Sequence, residues 1–206
     1  SADGSEFDVY HDGKLCARLS WQLIGQHNVN NALMAIAAAR HAGVQPQLAI
    51  EALGQFVNAK RRMETRGVVK DITVYDDFAH HPTAIRETIA AIRQKHPGRR
   101  LIAVFEPRSN TSVRKIHQQA LIDSFCEADE VILTTLHRLE KIPAEERLEI
   151  KQVLKSLIKQ KISAYEFPDV KEIIVHLHAN CRSGDIVLIM SNGKFDNIHQ
   201  RLLEAL

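Results

Sequence analysis

Residues 72–92 read ITVYDDFAHHPTAIRETIAAI, and the pattern changes halfway along this stretch. Its apolar, β-branched beginning is typical of a buried strand, whereas the apolar residues after Pro82 recur with helical spacing. Pro82 suits the first turn of a helix, where a backbone N–H has no partner to lose. The stretch therefore predicts a strand, a loop and a helix, with two acids and two histidines in the loop.

The same alternation of strands and helices continues to the end of the chain. Apolar strands are predicted at 100–105, 130–134, 162–167 and 185–190. Amphipathic helices are predicted at 82–95 and at about 111–125, 144–160, 169–180 and 195–205. Strands that alternate with such helices imply right-handed crossovers. The predicted fold class is therefore α/β, with a doubly wound, mainly parallel sheet that a hairpin over 67–75 enters.

The first part of the chain has a different pattern. Two alternating runs, 7–11 and 14–19, flank the pair Asp12-Gly13, which is a strong signal for a β-hairpin. Helices are predicted at about 28–41 and at 46–56, and neither lies in a strand–helix–strand crossover. We expect residues 1–64 to be the end of one domain and residues 65–206 to form a second, complete domain.

Composition excludes several classes of protein. The chain has 206 residues, 45% hydrophobic and 25% charged, with a net charge of +2, which is too mild to indicate a nucleic-acid surface. No apolar run approaches the roughly 20 residues of a membrane span. Three cysteines without a CxxC pair, and no signal peptide, favour a cytoplasmic protein. The polar start without Met suggests a piece of a larger protein, and composition leaves the oligomeric state open.

The predicted strand ends carry most of the polar side chains that are candidates for chemistry. In a parallel sheet these ends meet at one edge, where ligands bind. Asp76, Asp77, His80 and His81 follow the strand that ends near residue 75. The simpler explanation, equally consistent with the spacing, is that the acids cap a helix and the histidines are solvated.

Two further loops repeat this layout. Arg108 follows the strand at 100–105, and its planar guanidinium suits a substrate carboxylate, with Asn110 nearby to cap a helix or to bind the same group. The turn Ser191-Asn192-Gly193-Lys194 follows the strand at 185–190, and Gly193 there allows close approach to a backbone. A helix beginning directly after this turn would favour an anion, although a plain turn explains the glycine equally well.

Two polar groups precede the sheet. Asn28 is a candidate helix cap, and Asn31 lies about one turn further on, so the two amides are expected on one helix face. Paired amides can flank a flat heterocycle such as adenine. Arg62, in the pair Arg61-Arg62, can hold a phosphate in a bidentate manner. An ordinary cap and an exposed basic pair are the alternatives.

Several common motifs are absent from the sequence. It has no GxxxxGK[ST] phosphate loop, no GxGxxG fingerprint and no GxSxG elbow, so a dinucleotide-dependent dehydrogenase is disfavoured. No set of His, Cys and Asp has the spacing of zinc ligands, and we predict no metal ligands. No residue stands out as a proton-transfer catalyst.

The motifs at 25–32, 61–64, 76–83 and 105–108, in this order and spacing, resemble those of the Mur ligase family. The resemblance implies an ATP-dependent amide ligase of peptidoglycan metabolism that works through an acyl phosphate. It also implies a Rossmann-like C-terminal domain over 65–206, preceded by the end of a central ATPase domain over 1–64. The phosphate loop of that domain is not in this sequence, so we expect the chain alone to be inactive.

Roles for individual residues follow from the same resemblance. The implied cofactors are ATP and Mg²⁺, bound mainly by parts of the family's proteins that this chain lacks. The implied ATP contacts are Asn28 and Asn31 at adenine, Arg62 at the phosphates, Asp77 at the ribose, and His80 or His81 near the phosphates. The implied peptide contacts are Arg108, Asn110, Ser191, Asn192, Gly193 and Lys194.

The resemblance also implies partners. They are UDP-N-acetylmuramate and a tripeptide, L-alanyl-γ-D-glutamyl-meso-diaminopimelate, with neither nucleic acid nor membrane involved. A related ligase that adds L-alanine is the alternative within the family. A binding module for a peptide or a nucleotide, without chemistry, is the alternative outside it.

Overall fold

The computed structural model describes residues 1–136 and 142–206, which divide into two compact units. The first unit comprises Ser1–Ala59 and Ala90–Pro97, and the second comprises Lys60–Ile89 and Gly98–Leu206. The domain boundary expected after residue 64 stays a prediction. No helix within the described ranges has the length and apolarity needed to cross a membrane.

The first unit contains the predicted hairpin and helices. Its elements are β1 (Glu6–His11), β2 (Lys14–Ser20), α1 (Gln26–His41) and α2 (Pro46–Gly54). The two strands pair antiparallel around the Asp12-Gly13 turn. Alternate strand residues, one stripe of α1 and one residue of α2 share a small apolar core, made of Val9, Leu19, Ala32, Ile36 and Ile50. The prediction of a hairpin followed by two helices is confirmed.

Helix α1 begins earlier than the sequence indicated. Gly25, not Asn28, occupies the N-cap position, with a φ of 93° that favours glycine. A Cβ on Gly25 would lie 2.8 Å from Ala91 Cβ and 2.9 Å from His27 Nδ1, so the site is also too crowded for a side chain. The expectation that Asn28 caps this helix is wrong.

The second unit is built on a six-stranded sheet. Its strands are β3 (Glu64–Val69), β4 (Ile72–Asp77), β5 (Leu101–Phe105), β6 (Glu130–Thr134), β7 (Ser163–Phe167) and β8 (Ile186–Met190). The helices after β3 in chain order are α3 (Pro82–Lys95), α4 (Gln118–Ser124), α5 (Ile150–Lys159), α6 (Val170–Asn180) and α7 (Ile198–Ala205). Pro82 is the first residue of α3, as its fixed φ predicts.

The strand order is β3-β4-β8-β5-β6-β7. Among the strands within residues 1–136 and 142–206, only β3 is antiparallel to its neighbour in this sheet, and the other five run parallel. This confirms the predicted α/β class and the mainly parallel sheet. The last strand in chain order, β8, lies between β4 and β5. The strand order reverses at this position, and ligands of such folds bind there.

Alternation along the strands divides the core between the two faces of the sheet. On β8, Val187 and Ile189 belong to the cluster that packs against α6 and α7. That cluster also contains Ile132 of β6 and Leu202 of α7, which are fully buried. On the other face, the Phe105 ring lies 6.1 Å from that of Phe125. Burial on both faces explains why these strands are continuously apolar.

Two predicted helices are shorter than expected because tertiary contacts replace their first turns. The helix predicted over 111–125 is α4 preceded only by a 3-10 turn, Lys115–His117. The helix predicted over 144–160 is α5 preceded by a 3-10 turn, Ala144–Glu146. The two segments bind each other instead, since Leu148 N–H donates to the Val113 carbonyl at 2.9 Å. Helix propensity depends on neighbouring residues only, so it does not predict this long-range contact.

An ion network joins three strands at their amino ends. Arg100 lies 2.5 Å from Glu130 and 3.2 Å from Asp185, and both acids are buried. His176 of α6 contacts the second oxygen of Glu130 at 2.9 Å. Every member therefore has a counter-charge or a hydrogen-bond partner, which is the condition for tolerating charge inside a fold. This network lies at the sheet edge opposite the strand ends that carry the predicted site.

We expect the substitution Ile132→Ala to lower the free energy of unfolding by about 2–5 kcal/mol, because it leaves a cavity in the core beneath α6 and α7. The matched substitution Ile158→Ala, at a side chain that is 58% exposed, should cost less than about 0.5 kcal/mol. Urea denaturation measures both values. Equal losses for the two variants would contradict this assignment of the core.

Candidate functional site

The carboxyl ends of three adjacent strands form one rim. Asp77 at the end of β4 and Phe105 at the end of β5 both pair with Met190, the last residue of β8. The ladders extend one step further, because Ser191 N–H donates to the Asp77 carbonyl and Glu106 N–H to the Met190 carbonyl, each at 3.1 Å. The loops that follow the three strands are therefore neighbours, as a parallel sheet predicts.

Arg61 ties the segment before β3 to this rim. Its Nη2 donates to the Ser191 carbonyl at 2.5 Å, and its Nε lies 3.3 Å from Asp76 Oδ1. Its own carbonyl accepts the Phe78 N–H at 2.9 Å. The sequence drew attention to Arg62 as a ligand and missed this role of Arg61. Ser191 lies 130 residues further along the chain, so only the folded structure reveals this contact.

Asp76 is buried, with 3% of its surface exposed, and it faces two basic side chains. Its Oδ1 lies 3.2 Å from Nε2 of His199 on α7, in addition to the Arg61 contact. Burial by itself would raise the pKa of Asp76, but the close contacts with His199 and Arg61 outweigh it and hold the pKa below its usual value. Asp76 therefore serves as the anionic centre of an ion cluster behind the rim.

Asp77 is equally buried, and no cation among the described residues makes a hydrogen bond to it. Its Oδ2 accepts the Met63 N–H at 2.7 Å, and its Oδ1 accepts the Ala79 N–H at 2.7 Å and the Thr88 hydroxyl at 3.4 Å. Burial, the largest influence, raises the pKa of Asp77 despite these donors. These contacts hold the loop after β4, and the expected ribose contact of Asp77 stays a prediction.

Phe78 presents its ring to two guanidinium groups. The Cζ atoms of Arg61 and Arg62 lie 5.4 Å and 5.6 Å from the ring centroid, within the range of cation–π contacts. The His80 ring meets Phe78 edge-on at 5.2 Å. Arg62 itself is exposed, so it brings positive charge to the surface of the rim, as its predicted phosphate role requires.

The two histidines differ in environment. His80 Nδ1 lies 2.9 Å from the Phe78 carbonyl, and its ring lines a small pocket. His81 is exposed, and its ring lies 5.1 Å from that of His117. The other residues that line the pocket are Pro82, Ser112, Arg114, His117, Leu121 and Leu148. The choice between His80 and His81 as the phosphate contact stays open.

The turn after β8 is organised by one hydroxyl. Ser191 is 1% exposed, and its Oγ donates to Glu106 Oε2 at 2.5 Å and accepts the Gly193 N–H at 2.9 Å. Asn192 Oδ1 is buried and accepts no hydrogen bond within the part of the chain that is described. Lys194 is exposed at the end of the turn.

The helix start that was expected directly after Gly193 is wrong. A 3-10 turn, Phe195–Asn197, intervenes, and its three residues all have positive φ, between 46° and 56°. Helix α7 begins only at Ile198. The predicted anion-binding helix terminus is therefore not part of the turn that carries Gly193.

Arg108 lies against Gly193. A Cβ on Gly193 would come within 2.9 Å of both Cδ and Cζ of Arg108, so the arginine fills the space where a side chain would stand. Arg108 Nη1 is 3.9 Å from Glu106 Oε1, and the side chain is 40% exposed. Asn110, two residues further on, is also exposed. The rim therefore presents the accessible guanidinium of Arg108, whose side chain packs against Gly193.

Asn28 and Asn31 belong to the first unit. The Asn28 amide donates to the Ile24 carbonyl at 2.8 Å, and Asn31 is exposed on the next turn of α1. Their predicted roles at adenine stay predictions. Among the described residues, no group of three or more His, Cys, Asp or Glu is placed to hold a metal ion.

Comparison with known proteins identifies the family. Residues 61–193, more than half of the chain, match the family described as "Mur ligase, glutamate ligase domain". The chain belongs to the Mur ligase family. All three strand-end loops of the rim, after β4, β5 and β8, begin within the matched residues of this Mur ligase chain.

Relatives cover the whole Mur ligase chain. It is 45% identical over 207 residues to the UDP-N-acetylmuramate–L-alanyl-γ-D-glutamyl-meso-2,6-diaminoheptandioate ligase of Escherichia coli K12, covering 100% of this chain and 43% of that protein. The ligase of the same name from Haemophilus influenzae is 42% identical, over 99% of this chain and 43% of that protein. The chain thus spans less than half the length of these relatives.

A solved structure agrees with this assignment. The murein peptide ligase of Psychrobacter arcticus 273-4 matches 100% of this Mur ligase chain and 42% of its own, with 44% identity and a TM-score of 0.70. The UDP-N-acetylmuramate–alanine ligase of Thermotoga maritima shares the fold, with a TM-score of 0.77 and 23% identity over 99% of this chain and 44% of that chain.

We expect Asp76 and Asp77 to affect stability with opposite pH dependence. Because the pKa of Asp76 is depressed, its contribution to stability is full above the ordinary pKa of 3.8 and is lost as pH falls through the folded-state pKa. Because the pKa of Asp77 is raised, its contribution to stability is full below the ordinary pKa of 3.8 and is lost as pH rises through the folded-state pKa. Between about pH 5 and about pH 3, the stability gap to Asp76→Asn should therefore shrink and the gap to Asp77→Asn should grow.

Denaturant unfolding of the wild type and both variants across this pH range measures the two gaps. The two carboxylates are adjacent in sequence and equally buried, so each variant is the matched control for the other. Parallel pH dependence of the two gaps would contradict the assigned environments.

The substitution Gly193→Ala should displace Arg108 without unfolding the protein. Gly193 does not have a positive φ, so alanine meets no backbone strain there, and the clash is with a flexible side chain. We expect a stability loss below about 1 kcal/mol together with a shifted Arg108 Nε–H resonance in NMR spectra. Gly184→Ala, at a φ of 94° with open space around it, is the control that strains the backbone and leaves Arg108 in place. An unchanged Arg108 resonance in Gly193→Ala would contradict the contact.

Proposed function

We propose that this chain is the C-terminal part of an ATP-dependent amide ligase that joins UDP-N-acetylmuramate to L-alanyl-γ-D-glutamyl-meso-diaminopimelate. Two relatives of that name match the chain end to end, with 45% and 42% identity. The observation that carries the proposal is the rim, where an accessible Arg108 rests on Gly193 beside the loops of β4 and β8. The rim is the place for the incoming peptide.

Arg108 suits the peptide because the peptide carries carboxylates. A guanidinium binds a carboxylate through two parallel hydrogen bonds, which fixes both the position and the orientation of the group. Asn110, in the loop after β5, and Lys194, in the turn after β8, are both exposed and supply further donors. Asn192 Oδ1, without a hydrogen bond in the described chain, is an acceptor for an amide or ammonium N–H once the turn adjusts to a ligand.

ATP, when bound, supplies the phosphoryl group that activates the muramoyl carboxylate for attack by an amine. We assign Arg62 to the phosphates, because it is exposed and its guanidinium lies over the Phe78 ring. Asn28 and Asn31 are proposed to flank adenine, and His80 or His81 to approach the phosphates. Asp77 holds the loop of Phe78 through the Met63 and Ala79 N–H groups, and its contact with the ribose remains part of the proposal.

The complete protein is needed for this chemistry. The sequence has no phosphate loop, so we assign the phosphate loop, and with it the magnesium site, to parts of the protein outside this chain. We therefore expect the 206-residue chain alone to release no ADP. The cytoplasmic location favoured by the cysteine usage stays a prediction.

A ligase that adds L-alanine is the second candidate. The enzyme of that name from Nostoc punctiforme is 32% identical over 99% of this chain. Such ligases typically carry a His-Arg-Tyr-Thr-Arg run where this chain has Arg108-Ser109-Asn110-Thr111-Ser112. The difference lies in the loop that holds Arg108, and it favours the tripeptide over the single amino acid.

The test is ADP release by the complete protein with ATP, UDP-N-acetylmuramate and either tripeptide or L-alanine. We expect release with the tripeptide and little with L-alanine. Arg108→Ala should raise the KM for the tripeptide by about tenfold to a hundredfold, the worth of a charged hydrogen-bonded pair. Arg108→Lys should recover only part of this loss, because an ammonium cannot bind in a bidentate manner.

Arg182→Ala is the matched control, since this exposed arginine precedes β8 at the opposite edge of the sheet and should leave both KM values unchanged. Release with L-alanine in preference to the tripeptide would favour the second candidate. Tripeptide binding in calorimetry without any ADP release would indicate a binding module and overturn the proposal.

A further inference from the structure

Glu106 stands between two of the three loops of the rim. Its N–H donates to the Met190 carbonyl at 3.1 Å and so continues the ladder between β5 and β8 beyond the last residue of β5. This bond fixes the backbone of Glu106 at the sheet edge. Its side chain is 16% exposed and reaches the loop after β8. The carboxylate is therefore held in place before any ligand arrives.

The carboxylate determines how Ser191 uses its single hydroxyl hydrogen. Glu106 Oε2 accepts that hydrogen at 2.5 Å, since a carboxylate can only accept. The Ser191 oxygen then has lone pairs left for the Gly193 N–H, which lies 2.9 Å away. A continuous chain of hydrogen bonds thus runs from Glu106 through Ser191 to the backbone of Gly193. The other carboxylate oxygen lies 3.9 Å from Arg108 Nη1.

Gly193 in turn supports Arg108. The arginine occupies the space of the missing Cβ, so a shift of the Gly193 backbone changes where the guanidinium can lie. We propose that Glu106 is a positioning residue of the peptide site, which acts through the Ser191 hydroxyl and Gly193 to place Arg108. This inference rests on the proposed function for its substrate. Its geometry is independent of that function.

Steady-state kinetics of the complete protein, with the tripeptide and ATP varied in turn, test the inference. Glu106→Ala and Ser191→Ala should each raise the KM for the tripeptide by about tenfold. The double variant should be no worse than either single one, because both break the same chain of bonds. Glu106→Gln should stay within about threefold of the wild type, since its amide oxygen can still accept the Ser191 hydrogen. The KM for ATP should not change.

Glu145→Ala, at an exposed glutamate on the 3-10 turn before α5, is the matched control. A direct contact of Glu106 with the peptide would give a different pattern. Glu106→Ala would then raise the KM, Ser191→Ala would not, and Glu106→Gln would fail to rescue. That pattern overturns the inference, and so does a rise in both KM values together with lost stability, which indicates a purely structural role.

Amide hydrogen exchange provides a readout that needs no substrate. In the complete protein, Glu106→Ala should speed exchange at the Gly193 N–H by about tenfold or more, because its acceptor is no longer held. The Gly184 N–H, bound to the Asp71 carbonyl at 3.2 Å, should exchange as in the wild type. Unchanged Gly193 exchange overturns the inference. A wild type that releases no ADP refutes the proposed function instead, and the exchange measurement still decides the coupling.

Discussion

The parallel pairing of β8 with both β4 and β5 is the constraint on which the rest of this structure depends. It brings Met190 into register with Asp77 on one side and with Phe105 on the other. Three loops that are far apart in sequence therefore leave the sheet side by side. Because these three strands are parallel, all their carboxyl ends lie at one edge of the sheet. At the opposite edge, Arg100 forms ion pairs with Glu130 and Asp185.

The two buried acids at the end of β4 show how the rim is kept in shape. Asp76 is surrounded by basic groups and stays anionic, whereas Asp77 is satisfied by backbone donors and is penalised by burial. Arg61 uses the first of these acids and the Ser191 carbonyl to join the segment before β3 to the turn after β8. The structural groups of the site thus lie inside, and the exposed cations Arg62 and Arg108 remain at the surface.

Much of the fold could be predicted because its signals are local. Apolar runs identified β4, β5, β6 and β8, and the position of Pro82 identified the start of α3. The errors fall where long-range contacts decide the backbone. The helix predicted over 111–125 is shortened to α4 because the Leu148 N–H binds the Val113 carbonyl, and positive φ values at Phe195–Asn197 delay α7. Neither contact has a signature in the adjacent residues.

The sequence by itself determined the α/β class, the strand ends as the place of the site, and the family, because each depends on residue types at fixed spacings. Only the tertiary structure decided what each side chain does there. It turned Asp77 inward, gave Arg61 a partner 130 residues away, and placed Glu106 against Ser191. The physical reason is that hydrogen-bond partners are set by distance in space. Strand order, which no local pattern encodes, determines those distances.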